Sequence, residues 1–388
     1  MFVTKPEILY PDLDTPVVLV DMDKLEANIK EMSQQAAEAG VKLRPHTKVH
    51  ESAWIAKMQI EAGACGIEVG PLDQAEPMAE EGINDILVAH PFYGNHKLET
   101  LKKLLSKPNL KLTVVVDMIE QAEGISRVGQ AVGRKVPVLI KIETGGNRYG
   151  VLPGEATLNL AKKLCQLPGI DFAGIYGHES GAEPTEEGVA KSAWEVASIM
   201  TKTANMLRKE GIPVEHVSVG ASPTFHATCR YIKEGKLPEI TEIHPGNRVI
   251  GDIMYTMIRG NTRDTCALTI LTSVMSTSHT EHAVIDVGRK TFGAESMIEF
   301  RNNPGFFWQG TPSYGSIQGR PDLWLGRIAA ETGWVYYMDP KRKLKLGERL
   351  EIVPNRASIV VNSHDQLYGV RNGTVERVIS VTGKGRGN

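Results

Sequence analysis

Eight short runs of β-branched and other apolar residues recur between residues 42 and 244, and longer segments with helical periodicity separate them. The runs are continuously apolar, which is typical of strands that are covered on both faces of a sheet. They occupy residues 42–46, 66–69, 86–90, 112–116, 138–143, 172–177, 216–220 and 240–244. Eight strands that alternate with helices match the count of an α/β fold of the TIM-like (β/α)8 barrel type, which we therefore predict. An open doubly wound sheet is the alternative.

The pattern changes after residue 252, where strand-like segments follow one another without a long helical segment between them. They occupy residues 265–276, 282–286, 334–338, 349–353, 358–361, 367–371 and 374–380, separated by turn signals such as Asn372-Gly373. We predict a barrel domain over residues 1–262 and a mostly antiparallel β domain over residues 263–388. A strand predicted at 17–21 precedes the barrel, so residues 1–22 are candidates to join the β domain.

The charge balance excludes several classes of partner. The chain has 44 basic and 46 acidic residues, a net charge of −2, which gives no electrostatic basis for binding nucleic acid or an anionic membrane. It has no run of eighteen apolar residues, and its first ten residues lack the apolar core of a secretory signal. The four cysteines are scattered and predict reduced thiols, so we expect a cytoplasmic protein.

A lysine lies where the first barrel strand ends, within the segment Arg-Pro-His-Thr-Lys-Val-His at residues 44–50. Reactive groups of β/α barrels lie at these strand ends. Desolvation and nearby cations can lower the pKa of Lys48 there, as Schiff-base formation requires. A surface lysine in a loop is the alternative. His46 and His50 flank Lys48 and are candidate proton carriers.

The seventh and eighth strands end in segments suited to an anion. A glycine and two hydroxyls lie where a helix is expected to begin, and His-Pro-Gly-Asn ends the next strand. Backbone N–H groups at a helix N-terminus, with hydroxyl side chains, bind phosphate, although a simple helix cap explains the turn nearly as well. A lysine facing a phosphate site favours pyridoxal phosphate as cofactor. The candidate ligands here are Gly220, Ser222, Thr224, His244, Gly246 and Asn247.

Two further strand ends carry candidate residues. Arg148 follows the fifth strand in the glycine-rich segment 143–150 and could bond the cofactor phenolate or a substrate carboxylate through its planar guanidinium. A structural salt bridge is the alternative. His178 follows the sixth strand and could stack on or bond the cofactor ring, or be a buried histidine with a structural hydrogen bond.

These motifs together resemble the fold type III pyridoxal-phosphate enzymes. Within that class the chain resembles the D-threonine aldolases, D-serine dehydratases and 3-hydroxyaspartate aldolases. The resemblance spans nearly the whole chain and is carried by residues 14–16, 44–50, 145–150, 218–224, 242–247 and 362–371. It implies an alanine racemase-like barrel, a C-terminal β domain, Lys48 as the Schiff-base lysine and a homodimer with active sites near the interface.

One motif departs from that resemblance. Members of the group carry Pro-Asn-His-x-Cys, or a variant ending in Asp, and its His and Cys or Asp bind a divalent cation. Here residues 354–358 read Pro-Asn-Arg-Ala-Ser, and the usual Glu-Glu-His-Gly appears as Ala-Glu-Thr-Gly at 330–333. A guanidinium cannot ligate a cation and a serine hydroxyl is a poor ligand for zinc. We therefore expect no divalent metal, with Arg356 partly replacing its charge.

The leading hypothesis is a pyridoxal-phosphate-dependent lyase, an aldolase or dehydratase, that acts on β-hydroxy D-amino acids such as D-threonine, D-serine or 3-hydroxyaspartate. The candidate catalytic residues are Lys48, His178, His50 and Arg356. A metal-independent amino-acid racemase or epimerase is the second hypothesis. A non-catalytic cofactor carrier is the third, although the additional β domain argues against it.

Overall fold

A computed structural model describes residues 9–295 and 307–387 of the chain. Strand β1 (Val17–Asp21) precedes a parallel sheet whose strand order is β2-β9-β8-β7-β6-β5-β4-β3. These strands are β2 (Lys42–Leu43), β3 (Ile67–Val69), β4 (Asp85–Val88), β5 (Lys111–Val116), β6 (Val136–Lys141), β7 (Ile170–Tyr176), β8 (His216–Val219) and β9 (Glu242–Ile243). Each of the eight apolar runs predicted as barrel strands overlaps one of them.

A one-residue bridge closes the ring of strands. His46, just beyond β2, pairs in parallel with Glu68 of β3. The backbone N–H groups of Cys65 and Glu68 donate to the carbonyls of Leu43 and Pro45, each at 2.9 Å. The predicted α/β barrel class is therefore confirmed.

Helices alternate with these strands and pack around them. They are α1 (Met22–Ala39), α2 (Ala53–Glu61), α3 (Ala75–Glu80), α4 (Asn95–Leu105), α5 (Ile119–Val132), α6 (Glu155–Leu164), α7 (Glu186–Lys209), α8 (Phe225–Lys233) and α9 (Ile253–Met257). In α7 the Thr185 side chain accepts from the Gly188 N–H, and acidic first-turn and basic last-turn residues complement the helix dipole. No helix of the described segments has the length and apolar character needed to cross a bilayer.

The barrel interior has an apolar side and a polar side. Leu87, Val115 and Leu139 form part of a buried apolar cluster contributed by strands β4 to β7. On the other side, Arg44 donates from Nε to Glu242 Oε2 at 2.8 Å, and both side chains are buried. Burial of charged groups requires such pairing, so the polar side is held by specific hydrogen bonds.

A second sheet follows the barrel and is mostly antiparallel. Strand β1 joins it, pairing antiparallel with β10 and parallel with β18. The remaining strands are β10 (Leu268–Ser276), β11 (His282–Ile285), β12 (Phe307–Trp308), β13 (Thr311–Pro312), β14 (Gly315–Ile317), β15 (Leu323–Ile328), β16 (Gly333–Tyr337), β17 (Arg349–Pro354), β18 (Gln366–Arg371) and β19 (Thr374–Ser380). Strands β12 and β13 pair with each other in a separate ribbon, and a short helix, α10 (Arg289–Phe292), precedes them.

The strand predicted at 358–361 is wrong, because these residues form part of helix α11 (Ala357–Asn362). The β-branched run Ile-Val-Val suggested a strand, but Ala357, Val360 and Val361 are the buried positions. Their i, i+3, i+4 spacing matches one face of a helix, and burial of that face overrides the local strand propensity.

Candidate active site

A cavity of about 260 Å³ opens at the C-terminal ends of the barrel strands. Reactive groups of β/α barrels concentrate at this end, because the loops that follow the strands converge there. The wall includes the sequence-predicted residues His46, Lys48, His178, Ser222, Thr224, His244 and Gly246, together with Glu179 and Tyr255. The fold thus brings residues that are up to about 200 positions apart in the chain to one opening.

Lys48 lies in a single 3₁₀ turn (Thr47–Val49) that follows β2. His46 caps this turn, since its Nδ1 accepts a hydrogen bond from the Lys48 backbone N–H at 3.2 Å. The Lys48 side chain lines the cavity and is accessible from it, but it lies deep among surrounding protein atoms. Burial lowers the pKa of Lys48, and the charges of Arg148 and Arg356 lower it further, while Glu68 opposes them. A lowered pKa increases the fraction of neutral, nucleophilic amine.

The loops after β8 and β9 approach each other closely and form the opposite wall. The Gly246 N–H donates to Ser222 Oγ at 3.2 Å, and the Thr224 hydroxyl donates to the Ala221 carbonyl at 3.1 Å. A Cβ on Gly220, where φ is +154°, would lie 2.6 Å from the His244 backbone nitrogen. Glycine is therefore required at 220 for the two loops to meet. The resulting pocket of hydroxyls and backbone groups is suited to a phosphate.

His178 forms a wall of the cavity with a fixed tautomer. Its Nδ1 lies 2.7 Å from the Gly220 carbonyl oxygen, which can only accept, so Nδ1 carries the hydrogen. Burial lowers the pKa of His178 to about 3, and the positive charges of Lys48 and Lys141 contribute. The ring is therefore neutral, and its Nε2 lone pair can accept a hydrogen bond.

Sequence reasoning missed Glu68, a fully buried carboxyl on β3. Its Oε1 accepts from the Tyr176 hydroxyl at 2.9 Å and lies 3.6 Å from His46 Nε2, while Oε2 lies 3.8 Å from His244 Nδ1. Burial raises the pKa of Glu68 to about 8. The sequence carried one signal for Glu68. It is an acidic residue inside an apolar strand, and such a residue has to face a polar partner or the barrel interior.

A buried lysine and a second buried carboxyl were also missed. Lys141 ends β6 with its Nζ 4.2 Å from the centre of the Tyr176 ring, and burial lowers its pKa to about 7. Glu179 lines the cavity beside His178, and burial raises its pKa to about 7. Lys141 is the last residue of β6 and Glu179 follows β7, so their position at strand ends could have singled them out.

Arg148 and Asn247 lie at the edge of this arrangement. Arg148 is exposed on the loop after β6, with its guanidinium 4.7 Å from the centre of the Tyr149 ring, and it lines a small cleft with His178. Asn247 is buried and donates from Nδ2 to Asp252 Oδ2 at 2.8 Å. Asn247 thus supports the loop after β9, and it is not among the residues of the cavity wall.

His50 does not reach the cavity wall in the described structure. It is completely buried, and its Nδ1 accepts from the Ser52 N–H at 3.1 Å. Burial lowers the pKa of His50 to about 4, so its ring is neutral. The 3₁₀ turn at Lys48 directs His46 towards the site and His50 away from it.

Residues 20–251, more than half of the chain, match the family described as alanine racemase, N-terminal domain. The chain belongs to this family. Residues 267–370 match a serine dehydratase domain. Enzymes of the group depend on pyridoxal phosphate in general.

Three proteins illustrate the similarity. A 3-hydroxy-D-aspartate aldolase from Paracoccus denitrificans (strain Pd 1222) is 30% identical over 97% of this chain and 93% of its own length. A D-threo-3-hydroxyaspartate dehydratase from Delftia sp. (strain HT23) is 30% identical over 89% of this chain and 91% of its own. The crystal structure of D-threonine aldolase from Filomicrobium marinum has a TM-score of 0.85 at 28% identity, covering 99% of this chain and 100% of that chain. The resemblance read from the motifs is therefore confirmed.

Arg356 lies between β17 and α11, in the part of the chain that forms the second sheet. Its side chain is 32% exposed, and its Nε lies 4.0 Å from Glu295 Oε2. The positive charge of Arg356 lowers the pKa of Lys48, so the guanidinium influences a residue of the cavity wall. The neighbouring Ala357 N–H donates to Asp252 Oδ2 at 3.0 Å, which ties this segment to the barrel.

The residues at this position do not fit a divalent cation. A guanidinium at 356 and a hydroxyl at 358 replace the histidine and cysteine or aspartate expected from the resemblance. Across residues 9–295 and 307–387, no group of three His, Cys, Asp or Glu side chains is arranged to hold a metal ion.

Proposed function

We propose that this protein is a pyridoxal-phosphate-dependent lyase that cleaves or dehydrates β-hydroxy D-amino acids. The observation that carries the proposal is that Lys48 lines the same cavity as Ser222, Thr224 and Gly246. The similarity to an aldolase and a dehydratase over most of the chain supports the reaction class. The substrates are small amino acids, with D-threonine, D-serine and 3-hydroxyaspartate as the first to test.

The residues present fit the cofactor. Lys48 would anchor it covalently, and the Ser222 and Thr224 hydroxyls with the Gly246 segment would hold its phosphate. His178 would contact its ring, and Arg148 would contact its phenolate or the substrate carboxylate. Gly220 lets the two loops that form this pocket approach each other, since a Cβ there would collide with the backbone of His244. When bound, pyridoxal phosphate supplies an electron sink for the electrons released as a bond at the substrate Cα breaks.

The protein's own groups then hold and move protons. Burial lowers the pKa of Lys48, which favours its neutral amine, so the amine can accept a proton and return it. His178 is neutral with an accepting Nε2, so it can accept a hydrogen bond from the substrate hydroxyl and orient it. His46 is held by the Lys48 backbone and keeps the turn in place. His50 lies away from the cavity wall and is given no proton-carrying role.

We infer that Arg356 replaces a divalent cation and holds a substrate oxygen or a second carboxylate electrostatically. Its fixed charge acts on Lys48 from the β domain. A guanidinium forms strong bidentate contacts with a carboxylate but does not act as a Lewis acid. The purified protein treated with a chelator should keep its activity, and added manganese or zinc should not raise it. Strong activation by either metal would contradict this part of the proposal.

The decisive experiment incubates the purified protein with D- and L-β-hydroxy amino acids and measures aldehyde, keto acid and enantiomer together. An aldolase releases aldehyde, and a dehydratase releases keto acid and ammonia. A racemase or epimerase, the second candidate, inverts the substrate with α-proton exchange and releases neither. The serine dehydratase match over residues 267–370 favours the lyase. Absence of any turnover would instead support the third reading, a cofactor carrier.

The proposal extends to assembly and location. We infer a homodimer in the cytoplasm, on the strength of the family resemblance and of four cysteines without a paired spacing. Light scattering of the purified protein measures the dimer, and fractionation of the source cells measures the compartment. A monomeric mass in solution, or recovery outside the cytoplasmic fraction, would contradict the corresponding inference.

A further inference from the structure

Glu68 lies fully buried among groups that converge on its carboxyl from four barrel strands or the turns after them. The titratable groups that face it or act on it are Tyr176, His46, His244, Lys48, Lys141 and Glu242. No hydrogen-bond partner of Glu68 Oε2 occurs in the described part of the chain. Burying a carboxyl costs folding free energy unless it is hydrogen-bonded or paired with an opposite charge.

Two side chains that can donate hydrogen bonds lie near this carboxyl. The Tyr176 hydroxyl donates to Oε1 at 2.9 Å. His46 accepts at Nδ1 from the Lys48 backbone, so the hydrogen of its neutral ring is on Nε2, 3.6 Å from the same oxygen. Burial lowers the pKa of His46 well below 6.5, which keeps the ring neutral. The Tyr176 hydrogen bond favours the charged form of the Glu68 carboxyl, whereas burial, the larger effect, favours the neutral form.

A series of hydrogen-bonded side chains fixes the rings that lie next to Glu68. Tyr176 stacks on His244 with ring centres 4.4 Å apart. Ser218 Oγ lies 2.9 Å from His244 Nδ1 and donates to Glu242 Oε1 at 3.1 Å. Arg44 donates to the other oxygen of Glu242. The rings next to Glu68 therefore cannot turn away without breaking buried hydrogen bonds.

Resting on the proposed function, we propose that Glu68 is a positioning residue whose negative charge favours the protonated form of the Lys48 nitrogen and whose hydrogen bond fixes Tyr176 in the barrel mouth. Glu68 acts through Lys48 and Tyr176 and does not itself bond the substrate. Its charge opposes Arg148 and Arg356, which both favour the neutral Lys48 nitrogen. The balance between the negative charge of Glu68 and the positive charges of Arg148 and Arg356 sets the pH at which the Lys48 nitrogen loses its proton. Burial raises the pKa of Glu68 to about 8, so this control acts at mildly alkaline pH.

The test is a pH titration of the visible absorbance of the cofactor-loaded protein. Glu68→Gln removes the charge at nearly constant volume, and the midpoint should fall by on the order of one pH unit, about tenfold in proton concentration. Tyr176→Phe removes one donor to the carboxylate and should lower the midpoint by less. The double variant should shift no further than Glu68→Gln alone, because Tyr176 acts through Glu68.

Glu51→Gln is the matched control. Glu51 is also buried, and burial raises its pKa to about 7, but it lies outside the cavity wall. The midpoint of the absorbance titration of Glu51→Gln should equal that of the unaltered protein. Unchanged midpoints in Glu68→Gln and Tyr176→Phe overturn the proposal. If Glu68→Gln does not fold, an unchanged midpoint in Tyr176→Phe alone overturns it. A colourless unaltered protein supplied with pyridoxal phosphate defeats the proposed function itself, and with it this inference.

Discussion

The carboxylate of Asp252 accepts a hydrogen bond from the backbone N–H of Ala357 at 3.0 Å, across 105 residues of chain. The same Oδ2 accepts from Asn247 Nδ2 at 2.8 Å, and Oδ1 accepts from the Tyr255 N–H at 2.8 Å. Burial raises the pKa of Asp252, and these hydrogen bonds oppose that effect. One buried carboxylate therefore joins the loop after β9 to the segment that carries Arg356.

Asp252→Asn should destabilise the protein, because it replaces one accepting oxygen with a donor facing other donors. The expected loss is about 2 kcal/mol in the free energy of unfolding, measured by urea denaturation. Asp264→Asn is the control, since Asp264 is exposed in the nearby turn (Arg263–Thr265). Equal stability of the two variants would show that the Asp252 contacts are not needed to hold the two domains together.

Lys48→Ala should abolish the visible absorbance of added pyridoxal phosphate and reduce turnover by at least about 10²-fold, since an anchor and a proton carrier are both lost. Lys48→Arg keeps a positive charge but cannot form the covalent bond, so it should also be colourless. Absorbance spectra of the dialysed proteins measure this. A yellow adduct that persists in either variant would move the anchoring lysine elsewhere.

Gly220→Ala should be strongly destabilising, because its Cβ would lie 2.6 Å from the His244 nitrogen at a φ of +154°. We expect a loss of about 2–4 kcal/mol and weaker cofactor binding. Gly40→Ala, at the end of α1 with φ +70° and no atom within 4 Å, carries only conformational strain and should cost about 1 kcal/mol. Similar losses in both variants would mean that the loops after β8 and β9 can separate without cost.

Glu51→Gln should change how stability depends on pH. Burial raises the pKa of Glu51 from 4.5 to about 7, so the folded protein binds more protons than the unfolded chain between these values. The unaltered protein therefore loses stability at this group as the pH rises through that range, and Glu51→Gln should remove that loss. Urea denaturation across this pH range, with the exposed Glu61→Gln as control, measures the difference. Parallel pH profiles for all three proteins would contradict the prediction.

Arg356→Ala should raise KM for a substrate with a second carboxylate by roughly 10-fold or more, as expected for loss of a charged hydrogen bond. A β-hydroxy amino acid without that carboxylate should be affected less. Arg127→Ala removes an exposed guanidinium from α5, on the outside of the barrel, and should leave both KM values unchanged. If Arg356→Ala affects the two substrates equally, Arg356 does not read the second carboxylate.

The sequence alone determined the order of strands and helices in the barrel, because a strand buried on both faces requires a continuous apolar run and each run is bounded by its helix. It also located Lys48, Ser222, Thr224 and Gly246 at strand ends, which a barrel necessarily gathers at one opening. It did not distinguish His46 from His50, which flank Lys48 symmetrically at two residues on either side. The 3₁₀ turn decides between them, and only three-dimensional coordinates show its direction.

Tertiary structure alone decided the remaining features. The run at 358–361 has strand propensity but forms α11, because packing buries one helical face. Glu68 stands in an apolar strand, and its role depends on Tyr176, His46 and His244, which approach it from three other parts of the chain. The contact between Asp252 and Ala357 likewise joins the two domains. Local patterns record which residues are apolar or reactive, whereas the partners of a buried charge depend on how distant segments pack.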